Sequence, residues 1–385
     1  MLTNDRALDF GLLYELTVPN PAEPGSESRA YWDAIEEIRC AERVGFTHAW
    51  AVEHHFLKQF SHSSAPEVFL SAVAQHTSEI RIGHGVVLLP HPFNHPVRVA
   101  ERAAALDILS RGRLELGTGR SITEAELGGF TIDTGDSRPM WEESIRLIPR
   151  LWTEDTVSHQ GRYLEMPPRC VLPKPVQRPH PPLWLACSSP ATFEVAGCYG
   201  LGALGFGMAV SPEAFGRRVR AYRDALSRAE PVGRAVNDNV AVFLMAACAP
   251  TKEKARAISE ASFEYYMDTT MRFFLNWGSK SEPPPGYEWY AEVSRKGEDM
   301  ARRMKWDFLY ENDMIVAGDP DHVCEVIQKF ADAGVTQILM ATTVGTITHE
   351  QAMATIKLVG EAVIPQFRGR GEEPCRSASY RRTRT

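Results

Sequence analysis

The spacing of apolar residues along this chain switches repeatedly between two periods. Over residues 29–44, Ile35, Ile38, Ala41 and Val44 recur at helical spacing, and Gly45 follows directly. The runs 9–15 before it and 47–52 after it are short and apolar, the pattern of strands buried in a sheet. The alternation continues along the chain. Helices are predicted over 66–77, with Pro66 in the first turn, and over 96–109, 140–152, 191–199, 212–229, 252–277, 320–333 and 349–367. Strands are predicted over 80–89, 113–117, 183–187, 203–208, 239–247 and 337–340. Two stretches break the rhythm. One is 155–182, which holds Pro167, Pro168, Pro173, Pro175, Pro179, Pro181 and Pro182; the other is 278–288, which holds Pro283-Pro284-Pro285-Gly286. Both read as extended or looped.

Strand–helix alternation without a Greek-key stretch implies an α/β fold, a (β/α)8 TIM barrel with insertions, rather than an open sheet. Strands covered on both faces read as continuous apolar runs, and several here do. The chain from 1 to 368 is expected to form one such barrel. The tail 369–385 carries Arg370, Arg376, Arg381, Arg382 and Arg384 with almost nothing apolar, and reads as a disordered, solvated segment.

Composition narrows the function classes. Of 385 residues, 44% are hydrophobic and 24% charged, ordinary for a globular chain with a sizeable core. A formal net charge of −7 argues against a nucleic-acid binder. The seven cysteines are scattered without a C-x-x-C pair, so no zinc ribbon or disulfide framework is signalled, and reduced thiols in a cytoplasm are expected. The first residues lack the basic-then-apolar order of a signal peptide, and no apolar run is long enough to span a bilayer.

The candidate chemistry clusters at strand ends. Glu53-His54-His55-Phe56 closes the second strand, and barrels keep reactive groups at that end. A histidine there is either a structural hydrogen-bonder or an acid–base group, with His54 and His55 pointing to opposite faces. Gly117-Thr118-Gly119-Arg120 lacks the third glycine of a dinucleotide fingerprint. It reads either as a close approach to a ligand, with Arg120 suited to phosphate, or as a tight turn with a surface arginine. Cys187-Ser188-Ser189-Pro190-Ala191-Thr192 opens a helix, where Ser188 or Ser189 caps and free amides offer an anion site. Gly83 and Gly85 inside the third strand mark a bulge, a ligand approach or plain packing. His91 and His95 have metal-ligand spacing, but Pro92 and Pro96 break the helix that would align them, and no metal is expected.

Taken together, these residues resemble the bacterial luciferase family of flavin-dependent monooxygenases, of the luciferase α-subunit type. The matching segments are Trp50-Ala51-Val52-Glu53-His54-His55-Phe56, Val87-Leu88-Leu89-Pro90, His95-Pro96-Val97-Arg98, Leu109-Ser110-Arg111-Gly112-Arg113 and Gly117-Thr118-Gly119-Arg120. Val316-Ala317-Gly318-Asp319-Pro320 and Asp332-Ala333-Gly334-Val335 complete the series, in order over about 9–368.

The resemblance implies a barrel that takes reduced FMN from a separate flavin reductase, forms a C4a-peroxyflavin with oxygen, and oxidises an organic small molecule. By position, His54 corresponds to the catalytic acid–base histidine and Arg120 to the phosphate-holding arginine. Ser188, Ser189 and Thr192 correspond to the phosphate loop. Gly85-Val86 falls where relatives often carry a cis non-proline peptide under the flavin ring. The reactive cysteine that luciferase places beside its flavin is Gly119 here, and the acidic residue of its phosphate loop is Cys187, so light emission is not implied. Tyr14, Phe56, Phe206, Met208 and Trp277 are candidates for the substrate pocket, and the loop 278–312 is expected to close over the site. The family commonly forms homodimers. The rivals are a deazaflavin-dependent oxidoreductase of the same fold, a flavin-binding protein without catalysis, and, least, a metal-dependent barrel hydrolase.

Overall fold

The computed structural model describes residues 7–296, 303–368 and 381–382. Eight parallel strands close into a barrel. They are β1 (Asp9–Tyr14), β2 (His48–Ala51), β3 (Arg81–Leu88), β4 (Leu114–Gly119), β5 (Leu183–Cys187), β6 (Gly202–Phe206), β7 (Val240–Cys248) and β8 (Gln337–Ala341). Each pairs with the next, and β8 pairs with β1, as in Phe10 with Ile338, so no edge is left open. A short strand, Val316–Gly318, extends the sheet from the end of β7.

Strand parity sorts the core into two layers. Leu12, Ala49, Ile82, Leu116, Val242 and Met340 point outward and are sealed by the surrounding helices. Leu13, Trp50, Trp184, Phe243 and Leu339 point into the barrel. Trp50 and Trp184 meet edge to face at 5.4 Å and fill its lower half. A Cβ on Gly83 would lie 2.2 Å from the Trp50 ring, so this glycine makes room for the indole, as plain packing would have it. Trp184 Nε1 donates to Glu115 at 2.7 Å, satisfying the buried indole and the carboxylate together.

Helix limits follow local chemistry. Pro66, Pro96, Pro190, Pro212 and Pro320 occupy first turns, where a missing N–H costs nothing. The helix Ser26–Val44 stops at Gly45, φ 102°, whose amide returns to Ala41 at 3.0 Å. His95 caps its helix: its ring nitrogen accepts from Val97 N at the start of Pro96–Leu109. Among the described residues no three His, Cys, Asp or Glu side chains gather in a metal-holding group. Nor is any described helix long and apolar enough to cross a membrane.

Several expectations are corrected. The proline-rich stretch 155–182 contains an antiparallel hairpin, Val157–Gln160 with Glu165–Arg169. Gly117, Thr118 and Gly119 lie inside β4, not in a turn after it. The expected loop 278–312 carries helices Glu288–Arg295 and Trp306–Glu311, the first with its apolar residues on one face; 297–302 lies outside the described residues. A short helix, Glu124–Gly129, was not predicted, because six residues are too few to show a period. The tail from Gly369 lies outside the described residues, except that the backbone of Arg381–Arg382 pairs with Ala235–Val236.

Candidate active site

A cavity of about 770 Å³ opens at the C-terminal end of the barrel strands. His54, Gly85, Val86, Gly119, Arg120, Ser188, Ser189, Thr192 and Phe206 all line it. Tyr14, Phe56, Met208 and Trp277 do not. Tyr14 follows Leu13 on β1 and therefore faces outward, among the residues between barrel and helices. Phe56 has φ 64° and is 64% exposed, its ring resting on Phe130 at 5.6 Å. Met208 is buried in the barrel core. Trp277 Nε1 donates to Ile122 O at 2.8 Å, and its ring lies on Tyr287 at 4.3 Å, outside the cavity.

The two histidines that follow β2 have separate fates. His55 Nε2 meets Glu53 Oε1 at 3.0 Å, and its ring stacks on Phe93. Glu53 also accepts from Leu88 N and Asn94 Nδ2, both at 2.8 Å, so this pair holds the end of β3 in place. His54 turns the other way. Its Nδ1 meets Glu126 Oε1 at 2.9 Å, and its Nε2 faces Glu15 Oε2 across 3.7 Å.

Glu126 sits at the third position of the short helix Glu124–Gly129 and is fully buried. It accepts from Ser121 Oγ and Thr123 Oγ1 at 2.6 Å each and from His55 N at 3.0 Å. Burial favours its neutral form, but the His54 charge and these donors win, holding it down at about 2. Burial likewise opposes charge on His54, but the adjacent Glu126 carboxylate, with Glu15 and Glu53 behind it, raises the imidazole to about 9. At neutral pH the pair is an imidazolium held by a carboxylate. Glu15, just beyond β1, is buried and therefore raised, while His54 and the Tyr266 hydroxyl, which donates at 2.8 Å, pull the other way.

Arg120 and the start of a helix line another part of the cavity. Arg120 Nη1 donates to Ser137 Oγ at 2.9 Å and Nη2 to Gly286 O at 2.7 Å, and the guanidinium lies 4.3 Å from the Tyr287 ring centre. No ion pair to a carboxylate forms at Arg120 among the described residues, and its two described hydrogen bonds use only part of its five N–H donors. Beside it begins the helix Pro190–Cys198. Ser189 occupies the cap position, yet its hydroxyl makes no capping bond, in contrast to the expected cap; it lies 3.4 Å from Thr192 Oγ1. The first amides and the helix dipole thus face the cavity without a side-chain acceptor. Cys187 carries no reactive thiolate, since burial pushes its thiol up and Sγ donates to Leu185 O at 3.3 Å.

Between the two ends lies a cradle only small residues allow. A Cβ on Gly119 would come 2.6 Å from Val86 Cγ2. Val86 is placed there by an irregularity in the β3–β4 register between His84 and Val87. The Gly85–Val86 peptide is not cis, contrary to the expectation; the cis bonds among described residues are Leu172–Pro173 and Arg178–Pro179. Gly85 and Val86, which span this irregularity, both line the cavity.

Glu15, Glu126 and Tyr266 escaped the reading of the sequence. Glu15 carried the same signal as His54, an ionisable group at a strand end, and Thr123-x-x-Glu126 has the form of a capping box. Tyr266 offered none, since it reaches Glu15 from a helix 251 residues away.

The model of the luciferase-like monooxygenase family matches residues 12–337. A 4-hydroxyprotoasukamycin monooxygenase from Streptomyces nodosus subsp. asukaensis is 27% identical over 94% of this chain and 93% of its own length. The oxygenase component of a flavin-dependent trigonelline monooxygenase from Acinetobacter baylyi is 32% identical, but over 44% of this chain and less than half of its own length, 47%. An F420-dependent glucose-6-phosphate dehydrogenase from Amycolatopsis mediterranei is 26% identical over 88% of this chain and 95% of its own. Among solved structures, the monooxygenase RslO1 from Streptomyces bottropensis superposes with a TM-score of 0.76 at 25% identity, covering 94% of this chain and 100% of that one.

Proposed function

The chain belongs to the luciferase-like monooxygenase family and is an enzyme of it, and from that premise we propose that it is the oxygenase of a two-component system. It takes reduced FMN from a separate flavin reductase, and dioxygen, to oxidise a small organic molecule. One observation carries this reading: a charged imidazole and an unneutralised guanidinium stand at two ends of one cavity, with a glycine cradle between them.

The residues fit the group. Arg120 and the amides that open Pro190–Cys198, with Ser188, Ser189 and Thr192, would hold the phosphate. Gly85, Val86 and Gly119 would bear the ring system. Reduced FMN, when bound, supplies the electrons that activate dioxygen. His54 holds a proton at Nε2, on the cavity side, and gives it to the reacting oxygen; Glu126 fixes the ring and keeps it charged. Pro285, Gly286 and Trp289 line the cavity and would help exclude water from it.

Purified protein mixed anaerobically with reduced FMN, then with oxygen, should consume oxygen at a rate raised by substrate. His54→Ala should bind flavin and waste the oxygen as peroxide; coupled turnover at the wild-type rate would remove His54 from this role. The F420-dependent relative favours a second reading, hydride transfer with a deazaflavin. Turnover with F420 under strict exclusion of oxygen would establish it instead, and flavin binding without either reaction would leave a flavin carrier. For assembly we infer a homodimer, supported by Trp32, Val68 and Ile108, exposed at 59%, 67% and 41% on three successive helices. Sedimentation as a monomer at micromolar concentration would refute it.

A further inference from the structure

Glu15 has one oxygen to spare. It is 7% exposed, and while Oε1 accepts from Tyr266, Oε2 has no hydrogen-bond partner. His54 Nε2 faces it at 3.7 Å, too far for a hydrogen bond. Nε2 is itself uncommitted, because Glu126 engages the other ring nitrogen. A buried acceptor and a half-buried donor, paired only by charge, thus face each other across a gap on the cavity wall. Leaving such groups unmet is costly, so the gap is shaped for a ligand that meets both.

The surroundings define the rest of that ligand. Leu13, Phe60, Phe243, Phe273 and Leu339 wall this end of the cavity. Phe60 lies 5.1 Å from both Tyr266 and Phe273, tilted against one and edge-on to the other, and 5.5 Å from His54. These faces suit a ring and supply no hydrogen-bonding group of their own.

We propose that this end of the cavity takes a hydroxylated ring compound, a phenol or cyclic alcohol, whose O–H donates to Glu15 Oε2 while its oxygen accepts from His54 Nε2. A single hydroxyl supplies both a donor and an acceptor. An ether accepts from His54 but leaves Glu15 unmet, and a hydrocarbon satisfies neither. Glu15 is then the residue that sets substrate specificity, a role distinct from the proton delivery of His54. The proposal deepens the monooxygenase reading and rests on it for what happens to the bound ring.

The test is equilibrium dialysis of the full-length protein, with and without FMN, against 2-naphthol and its methyl ether, 2-methoxynaphthalene. The naphthol should bind about tenfold or more tightly than the ether. Glu15→Ala should bring the two within about twofold by weakening the naphthol alone, with FMN affinity unchanged. Glu15→Leu, close to glutamate in volume, repeats the test if the alanine variant fails to fold. Equal binding of both compounds by the wild type, binding of neither, or a tenfold preference that survives in Glu15→Ala or Glu15→Leu would overturn the proposal. Loss of FMN binding by the wild type, with the naphthol preference intact, would instead overturn the flavin reading and spare this one.

Discussion

The two ends of the cavity are built on opposite plans. On the Nδ1 side of His54 the groups are tied down: Glu126 alone takes four hydrogen bonds, from His54, His55, Ser121 and Thr123. Around Arg120 the ties are few: a serine hydroxyl, one carbonyl and an aromatic face, with no ion pair to a carboxylate among the described residues. A group that must hold a proton at a defined atom needs a rigid, charge-balanced frame, and the fold supplies it in advance. On the proposed reading, a group that holds a phosphate would be left short of negative charge for the ligand to complete. The difference predicts how each end responds to damage: the proton end should lose turnover and stability, the anion end only affinity.

The largest effect should come from Glu126→Ala. It leaves the His54 charge buried without its partner, which costs on the order of 3–5 kcal/mol. Urea unfolding should show that loss, with coupled turnover abolished; a fully stable, active variant would mean that the pair is ornamental. Next is His54→Ala, expected to lower coupled product formation by about 10²–10⁴-fold, with FMN affinity within about twofold. If affinity falls in step with rate, the histidine binds rather than reacts.

pH sharpens the contrast. His54 is raised to about 9, so its contribution to stability is complete below its unfolded value near 6.5 and is lost as pH rises through about 9. Glu126 is lowered to about 2, so its contribution is complete above its unfolded value near 4.5 and is lost as pH falls towards about 2. Turnover that needs the His54 proton should fall above about pH 9. In Glu126→Gln that limb should move down towards the value of an ordinary histidine. An unmoved limb would assign the titration to another group.

At the anion end, Arg120→Ala should weaken FMN about tenfold, roughly 1.4 kcal/mol, without altering the affinity for riboflavin, which has no phosphate. Equal losses for both flavins would place Arg120 at the ring instead. Smallest of all is Phe56→Ala. The side chain is 64% exposed and lies off the cavity, so substrate affinity should not change.

The sequence carried the barrel and both ends of the cavity for one reason: each rests on local rules. Prolines in first turns, Gly45 after a helical run and His54 at a strand end all declare themselves within a few residues. What escaped depends on parity or on distance. Tyr14 and Glu15 are neighbours on opposite faces, and counting alternation from Leu13 would have sent Glu15, not Tyr14, into the cavity. Phe56 takes a positive φ that no pattern announces. Tyr266 and the segment around Gly286 reach the site only through the folded chain.

The most direct test of the account is a crystal structure of the protein with FMN. The phosphate should lie within hydrogen-bond distance of Arg120 and the amides that open Pro190–Cys198, with the ring system between Gly119 and His54. A phosphate bound anywhere else, or a ring that does not reach the His54 side of the cavity, would contradict it.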